Sequence, residues 1–336
     1  MKDKLLSLST ELRNQASMNL PHMTIEESTA MMNREDEACA GAVKAVLPVV
    51  NQVIEKCVET IRNGGRIVFT GAAHSGFLGA LDAMEANATF GTTDEFTSIV
   101  AGNPGDIMNT DGSAEDSAEN GVIDLKDRNV TAKDFVIGLS SSGRTPYVIG
   151  ALRWCQENEI PCACLTNNAA AEMGQYADFV MAPEPGPEVI SGSTRLKAGT
   201  CQKMFMNMIS TMTMAQLGNV YQNLMINVPP VSVKMRKRLV YILTQATGCS
   251  MERAQQLMEE CEFKIKPALL MELKGMTKEE ALAELEKVSG KKISLVQKVD
   301  ASVLAGLCVE IEGKQLDGTV QSRITGISKK LSEIIV

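Results

Sequence analysis

Two loops rich in serine and glycine are candidates for binding a phosphate group. One runs from Gly71 to Gly76 and the other from Ser140 to Thr145, and each joins a short apolar run to a helical pattern. Glycine lets the backbone approach a ligand closely, a helix N-terminus offers free N–H groups and partial positive charge, and serine hydroxyls add donors. The pattern predicts phosphate binding, with helix capping as the alternative for residues 140–145.

Neither loop is a nucleotide-binding motif. No Gly-Lys-Ser or Gly-Lys-Thr follows, and residues 71–76 lack the G-x-G-x-x-G spacing. A third polar segment, residues 188–200, places hydroxyl and cationic side chains at the start of an expected helix. It could contact phosphate or a carboxylate, and capping is again the alternative.

Two carboxylates are candidates for acid–base chemistry. Glu85 lies on a mostly apolar helical pattern, and Glu115 opens another helical pattern after Gly112. A carboxyl group can give or take a proton when its surroundings tune its pKa. A solvated side chain, or an acid favoured by the dipole of a first helical turn, is the alternative for each.

Composition narrows the function classes. The chain has 336 residues and a net charge of −8, which argues against a nucleic-acid ligand because neutralising phosphates needs clustered Lys and Arg. It has two His and nine Cys without a CxxC pair, so we expect no metal site, no disulfide framework and no cofactor. No apolar run reaches the length of a membrane span, and we expect a cytoplasmic protein without a membrane partner.

Short apolar runs alternate with helical patterns from residue 66 to residue 218. This alternation predicts an α/β fold, a doubly wound parallel sheet flanked by helices, with ligands at the carboxyl ends of its strands. The expected strands are 66–70, 97–101, 134–139, 161–166 and 178–182. The expected helices are 35–63, a helix ending near 87, 114–122, a helix starting at 146, and 195–218.

Four regions are predicted along the chain. They are an extended N-terminal arm (1–34), the sheet domain (35–228), a helical appendage of two or three helices (229–290) and an α+β tail (291–336). The appendage contains a weak repeat, G-x-[ST]-x-E-x-A, at 248–254 and 275–281. In the tail we expect one strand at residues 293–300, a second strand across the segment CVEIEGKQLDG, and a helix at the end of the chain.

Several segments together resemble the N-acetylmuramic acid 6-phosphate etherase family. That family has the sugar-isomerase (SIS) fold and includes the glucokinase regulatory protein as a paralogue. The matching segments are 8–14 (LSTELRN), 33–36 (NRED), 71–91 (GAAHSGFLGALDAMEANATFG), 112–116 (GSAED), 142–150 (SGRTPYVIG) and 186–228. The chain departs from the family at His74 and Phe77, where the family usually has Thr and Arg.

The resemblance implies cleavage of the D-lactyl ether of N-acetylmuramic acid 6-phosphate, giving N-acetylglucosamine 6-phosphate and D-lactate. It implies that Glu85 is the acid and Glu115 the second acid–base residue. It also implies that Ser75, Ser140, Ser142 and Thr145 hold the phosphate. The other expected substrate contacts are Gly76, Ser141, Glu188, Ser193, Thr194 and Lys197.

Two other functions fit the same residues. A sugar-phosphate-binding regulator would not need both Glu85 and Glu115, whereas a sugar-phosphate isomerase would use the same base chemistry. The resemblance further implies a homodimer, and we expect an active site shared between its subunits. Residues 293–336 resemble a different family, the C-terminal end of the ATP synthase delta subunit.

Overall fold

A five-stranded parallel sheet organises the first of two compact units, residues 1–281 and 282–336. The computed structural model describes residues 9–102, 112–289, 308–311 and 314–317. The strands are β1 (Ile67–Gly71), β2 (Phe96–Val100), β3 (Phe135–Leu139), β4 (Cys162–Leu165) and β5 (Phe179–Met181). The helices flanking the sheet are α1 (Ile25–Ala45), α2 (Leu47–Arg62), α3 (Ala73–Phe90), α4 (Ala118–Asp127), α5 (Pro146–Glu157) and α6 (Lys197–Gln216).

Side chains alternate between the two faces of the sheet. Ile67 and Phe69 pack into a core with α1, α2, α3 and α6, whereas Val68 packs into a second core with α4 and α5. Both faces are therefore covered, which explains why most strand residues are apolar. The prediction of a doubly wound parallel sheet flanked by helices is confirmed.

The strand order places the two serine-glycine loops side by side. The order is β2-β1-β3-β4-β5, so the chain leaves β1 towards one edge of the sheet and returns to β3 on the other side of β1. A crevice opens at such a reversal, beyond the carboxyl ends of the two strands. The loops after β1 and β3 both lie at this crevice.

The predicted extended arm is wrong in its second half. Helix α1 begins at Ile25, because Thr24 and Glu27 form a capping box in which each side chain bonds the other residue's backbone N–H. Short 3-10 helices precede it at Ser9–Glu11, Gln15–Ser17 and Leu20–His22. The start of α1 was missed because this helix has a wide polar face, which weakens the periodic spacing of apolar residues that indicates a helix.

The single helix predicted over residues 35–63 is two helices. It breaks at Val46, and Pro48 lies at the start of α2, where its missing N–H costs no helical bond. Helices α1 and α2 meet at a bend of 63°. Among the described residues no single helix is long and apolar enough to cross a membrane, and this bent pair passes that test by length and composition alone.

Helices α4 and α5 are in close contact through two glycines. A Cβ at Gly150 would overlap the carbonyl oxygen of Ala118, and a Cβ at Gly121 would overlap that of Tyr147. Neither helix can move away easily, because Leu125 and Leu152 are fully buried beneath them. The close approach of the helices therefore depends on glycine at both positions.

We expect Gly150→Ala to lower the free energy of unfolding by about 1–3 kcal/mol, the usual cost of overpacking. Urea denaturation followed by circular dichroism measures the change. The matched control is Gly41→Ala in α1, where a Cβ meets nothing within 4 Å. That change should stabilise the protein by up to about 1 kcal/mol through helix propensity. Equal effects of the two substitutions would contradict the packing argument.

The helical appendage has four helices among the described residues rather than two or three. They are α7 (Val233–Thr247), α8 (Met251–Glu260), α9 (Ile265–Lys274) and α10 (Lys278–Ser289), preceded by a small hairpin of β6 (Val220–Tyr221) and β7 (Leu224–Met225). Gly248 and Gly275 end α7 and α9 in the left-handed conformation. Ser250 caps α8, and Thr277 exchanges hydrogen bonds with Glu280 before α10. Each copy of the sequence repeat is thus a glycine stop followed by a helix start.

In the second unit, strands β8 (Cys308–Ile311) and β9 (Lys314–Asp317) form an antiparallel hairpin. The sequence predicted one strand across CVEIEGKQLDG, and the hairpin corrects that prediction. The strand predicted at 293–300 and the helix predicted at the chain end lie outside the described residues.

Candidate functional site

The loop after β1 brings a helix N-terminus to the crevice. Ser75 and Gly76 lie in the first turn of α3, and both are buried. Gly76 packs closely on the end of β1, where a Cβ would come 2.7 Å from the carbonyl oxygen of Gly71. The N-cap position is Ala72, without a side-chain cap. Ser75 is therefore not the cap of its helix.

The loop after β3 collects three hydroxyl groups. The Oγ of Ser140 lies 2.8 Å from Oγ1 of Thr145 and 3.4 Å from Oγ of Ser142. Ser140 is buried, whereas Ser142 and Thr145 are half-buried. Thr145 is the N-cap residue of α5, but its side chain makes no cap hydrogen bond. Helix capping therefore does not account for its hydroxyl.

Gly143 gives this loop its shape. Its φ of +68° is in the left-handed region, and its N–H bonds both the carbonyl and the Oγ of Ser140. A Cβ at this position would overlap the Cβ of Ala171 and approach Oγ1 of Thr166. Only glycine fits both the conformation and the space, so the position of the hydroxyl cluster is set by the backbone.

The two loops are joined by side chains. Ser141 Oγ lies 3.4 Å from Nε2 of His74 and accepts a hydrogen bond of 3.1 Å from Gln202 Nε2 on α6. Ser141 is buried, so its hydroxyl serves this connection between elements. The structure thus brings Ser75, Gly76 and residues 140–145 together at one crevice.

Glu188 and Lys197 already have partners within the protein. Glu188 is 1% exposed and accepts bonds of 2.9 Å from the backbone N–H groups of Lys197 and Ala198, which closes the start of α6. Burial raises the pKa of Glu188, and these N–H groups hold it down in part. Lys197 is 2% exposed and pairs with Glu35 at 2.7 Å. Both residues hold the segment before α6 in place, and their contact with substrate stays a prediction.

Ser193 and Thr194 lie in the tight turn that leads into α6. The N–H of Ser193 bonds the carbonyl of Ile190, and the carbonyl of Thr194 accepts from the N–H of Gly199 at 2.9 Å. The backbone of Thr194 also contacts the ring of His74. This turn is therefore connected to the loop after β1.

Glu115 lies in a half-buried position beyond β2. It belongs to the 3-10 helix Gly112–Asp116, which packs against α5. The position of a Cβ on Gly102, which follows β2, is 3.1 Å from Cβ of Ala114. Glu115 therefore lies at the same edge of the sheet as the crevice. Burial, and secondarily the charge of Asp116, raises its pKa.

Glu85 lies on the last third of α3 and is held by a lysine. Lys203 of α6 donates to Glu85 at 2.9 Å and to Asp82 at 3.0 Å. The side chain of Asp82 is buried, whereas that of Glu85 is 54% exposed. The buried Asp82 therefore holds Lys203 in place, and Lys203 in turn holds the carboxylate of Glu85, which remains exposed to solvent.

Sequence reasoning did not select four polar side chains at these positions: Asp82, Arg144, Gln202 and Lys203. One oxygen of Asp82 and one guanidinium nitrogen of Arg144 are buried without a hydrogen-bond partner among the described residues. Arg144 adjoins the hydroxyl cluster and was visible as a cation within the loop sequence. No local signal marks the other three, because their roles depend on contacts between α3, α6 and the loop after β3.

Family models match three stretches of the chain. The glucokinase regulatory protein N-terminal SIS domain matches residues 49–156, and the SIS domain matches residues 118–216. The ATP synthase delta (OSCP) subunit matches residues 219–331, a longer stretch than the 293–336 expected from the sequence. The first two matches cover the strands and loops that form the crevice.

Two curated relatives that match most of this chain bear the same name. The N-acetylmuramic acid 6-phosphate etherase of an Exiguobacterium species is 42% identical over 86% of this chain and 98% of its own length. That of Yersinia pestis is 41% identical over 84% and 97%. A phosphoheptose isomerase from Francisella tularensis superposes with a TM-score of 0.45 at 12% identity, over 57% of this chain and all of its own. Because two relatives are 41% and 42% identical to this chain over nearly their whole length, the chain belongs to the N-acetylmuramic acid 6-phosphate etherase family.

Proposed function

We propose that the chain cleaves the D-lactyl ether of N-acetylmuramic acid 6-phosphate by elimination followed by addition of water. The products are N-acetylglucosamine 6-phosphate and D-lactate, which makes the enzyme a carbon–oxygen lyase. The observation that carries the proposal is the crevice between β1 and β3. It combines a helix N-terminus with the hydroxyls of Ser142 and Thr145, in a chain whose relatives bear the name of this activity.

The substrate is bound by its 6-phosphate. The hydroxyls of Ser142 and Thr145 and the first N–H groups of α3 and α5 are the donors that this phosphate would meet. Arg144 supplies a cation in the same loop. With the phosphate bound in the crevice, carbons C1 to C3 of the sugar would extend out of it towards the acid and the base.

The reaction needs one base and one acid. In the open-chain sugar the C1 aldehyde acidifies the C2 proton, a base removes that proton, and the C3–O bond breaks. The departing lactyl oxygen takes a proton from the acid, and water then adds to the C2–C3 double bond at C3, which returns a proton to C2. A carboxyl pair in different environments meets this requirement. Glu115, with its raised pKa, and Glu85 are the proposed pair.

The deciding experiment is incubation of the purified chain with N-acetylmuramic acid 6-phosphate and an enzymatic assay for D-lactate. Release of D-lactate together with N-acetylglucosamine 6-phosphate supports the etherase. Binding of the sugar phosphate without release would favour the regulator. Conversion of a sugar phosphate to its ketose isomer without lactate would favour the isomerase.

Removing two hydroxyls from the loop after β3 tests the phosphate site. We expect Ser142→Ala combined with Thr145→Ala to weaken binding of N-acetylglucosamine 6-phosphate by roughly tenfold or more for each hydroxyl, since hydrogen bonds to charged groups are strong. Folding should be little changed, because Thr145 does not cap α5. Isothermal titration calorimetry measures the affinity.

The matched control for that pair is Ser28→Ala with Thr29→Ala, which removes two adjacent hydroxyls from the first turns of α1. The affinity of this control variant for N-acetylglucosamine 6-phosphate should equal that of the unaltered chain. Unchanged affinity in the Ser142 and Thr145 variant as well would remove this loop from the phosphate site.

A further inference from the structure

His74 occupies a half-buried place at the edge of the crevice and follows a strained residue. It is the second residue of α3, and the residue before it, Ala73, has a φ of 44°. A left-handed conformation is costly for a residue with a Cβ and persists only where the surroundings fix it. The strain sets the direction in which the chain enters α3, and so the place of the His74 ring.

The ring lies among three separate parts of the fold. Its Nε2 is 3.4 Å from Oγ of Ser141 in the loop after β3. The backbone of Thr194, in the turn before α6, contacts the ring from another side. Through Ser141 the ring is also linked to Gln202, which donates to the same hydroxyl at 3.1 Å.

The ring acts through hydrogen bonds and packing rather than through charge. Burial lowers the pKa of His74, and the contact with the backbone of Thr194 offsets this only in part. The imidazole is therefore neutral at neutral pH, since its ordinary pKa is already near 6.5. Three charged groups near the start of α6 have their own partners: Glu188 closes α6, Lys197 pairs with Glu35, and Lys203 pairs with Asp82. Arg144, in the loop after β3, has one guanidinium nitrogen without a hydrogen-bond partner among the described residues.

We propose that His74 is a positioning residue that ties the loop after β1 to the loop after β3 and to the turn before α6, and so sets the shape of the sugar-phosphate site. The inference rests on the proposed function, because it concerns the same crevice. The bond to Ser141 holds the backbone from which Ser140 and Ser142 project. The contact with Thr194 holds the turn before α6 next to the loop after β3.

Three variants separate this role from simple filling of space. His74→Phe keeps a ring of similar size and removes both ring nitrogens, whereas His74→Gln keeps a polar group able to bond Ser141. His22→Phe is the control, since His22 is exposed and is the other histidine of the chain. We expect His74→Phe to weaken binding of N-acetylglucosamine 6-phosphate about tenfold, and His74→Gln to recover part of that loss.

Amide hydrogen exchange tests the positioning role without any ligand. The N–H of Gly143 bonds Ser140, and the N–H of Gly199 bonds the carbonyl of Thr194. Both amides should exchange faster in His74→Phe than in His22→Phe, while the amide of Val136 in β3 should be unaffected. Equal exchange at Gly143 and Gly199 in the two variants would overturn the inference.

The two proposals fail in different ways. If the unaltered chain does not bind N-acetylglucosamine 6-phosphate, the proposed function is contradicted, and the exchange rates alone decide the role of His74. If the unaltered chain binds and His74→Phe binds equally well, the proposed function stands and the inference on His74 fails. Equal loss in His74→Phe and His74→Gln would also overturn it, because polarity at residue 74 would then have no effect.

Discussion

Replacing Glu85 by Gln is expected to lower turnover of N-acetylmuramic acid 6-phosphate by roughly 10²–10⁴-fold, the range that general acid–base catalysis contributes. Gln keeps the size and polarity of the side chain and removes the carboxyl group that can give or take a proton. Substrate binding should largely survive, because the proposed phosphate contacts lie in the loop after β3 and at the starts of α3 and α5, whereas Glu85 lies in the last third of α3. Steady-state kinetics by D-lactate release should therefore show a fall in kcat with little change in KM.

Loss of folding would not explain such a fall. The carboxylate of Glu85 is 54% exposed, and its ion pair with Lys203 is of the exposed kind that contributes little to stability. Lys203 keeps its second bond, to the buried Asp82. The thermal midpoint of Glu85→Gln should therefore match that of Glu157→Gln, an exposed control on α5. Near-normal turnover in Glu85→Gln would remove Glu85 from the mechanism.

The place of the two serine-glycine loops was predictable because their signal is local. A buried strand, a serine-glycine loop and a helix start follow one another within a few residues, and parallel strands place such loops at one edge of a sheet. The shape of the loop after β3 also follows from its sequence, because Gly143 alone among its residues readily adopts a positive φ. The order of the strands, which brings β1 beside β3, is a property of the whole sheet and did not follow from the local pattern.

The contacts that hold Glu85 and His74 were not predictable from the pattern. Lys203 is 121 residues from Asp82 and 118 from Glu85, so nothing in the sequence pairs them before the chain folds. Glu188 and Lys197 show that a local pattern does not reveal the partners a charged residue has within the protein. Their position at a helix start suggested ligand contacts, yet their charges close α6 and pair with Glu35. The start of α1 was missed although Thr24 and Glu27 have the spacing of a capping box.

We also expect each active site to be built from residues of two subunits. Helix α3 runs unbroken from Ala73 to Phe90, with Ser75 in its first turn and Glu85 ten residues further on. At about 1.5 Å per residue these two positions lie about 15 Å apart along the helix axis. A sugar held by its 6-phosphate at Ser75 has its C2 and C3 much nearer than that. Glu85 of the same chain is therefore poorly placed for that substrate, and we expect Glu85 of a two-fold partner to act on it instead.

Mixing two impaired chains, assayed at a substrate concentration far below KM, tests the shared site. One chain carries Glu85→Gln, and the other carries Ser142→Ala with Thr145→Ala. In a shared site, a mixed dimer has one site built from the intact loop of the first chain and the intact Glu85 of the second. Half of randomly paired dimers are mixed, so activity should rise from near zero to about a quarter of that of the unaltered protein.

The control mixture replaces the second chain by one with all three substitutions, Glu85→Gln, Ser142→Ala and Thr145→Ala. No pairing of that chain with Glu85→Gln can assemble an intact site, so its activity should stay at the level of the parents. Mass-tagged subunits show by native mass spectrometry that exchange has taken place. If mixed dimers form and the first mixture remains as inactive as the control, each chain acts on its own substrate. The phosphate would then bind at residues 140–145 without Ser75, close enough for Glu85 of the same chain to act.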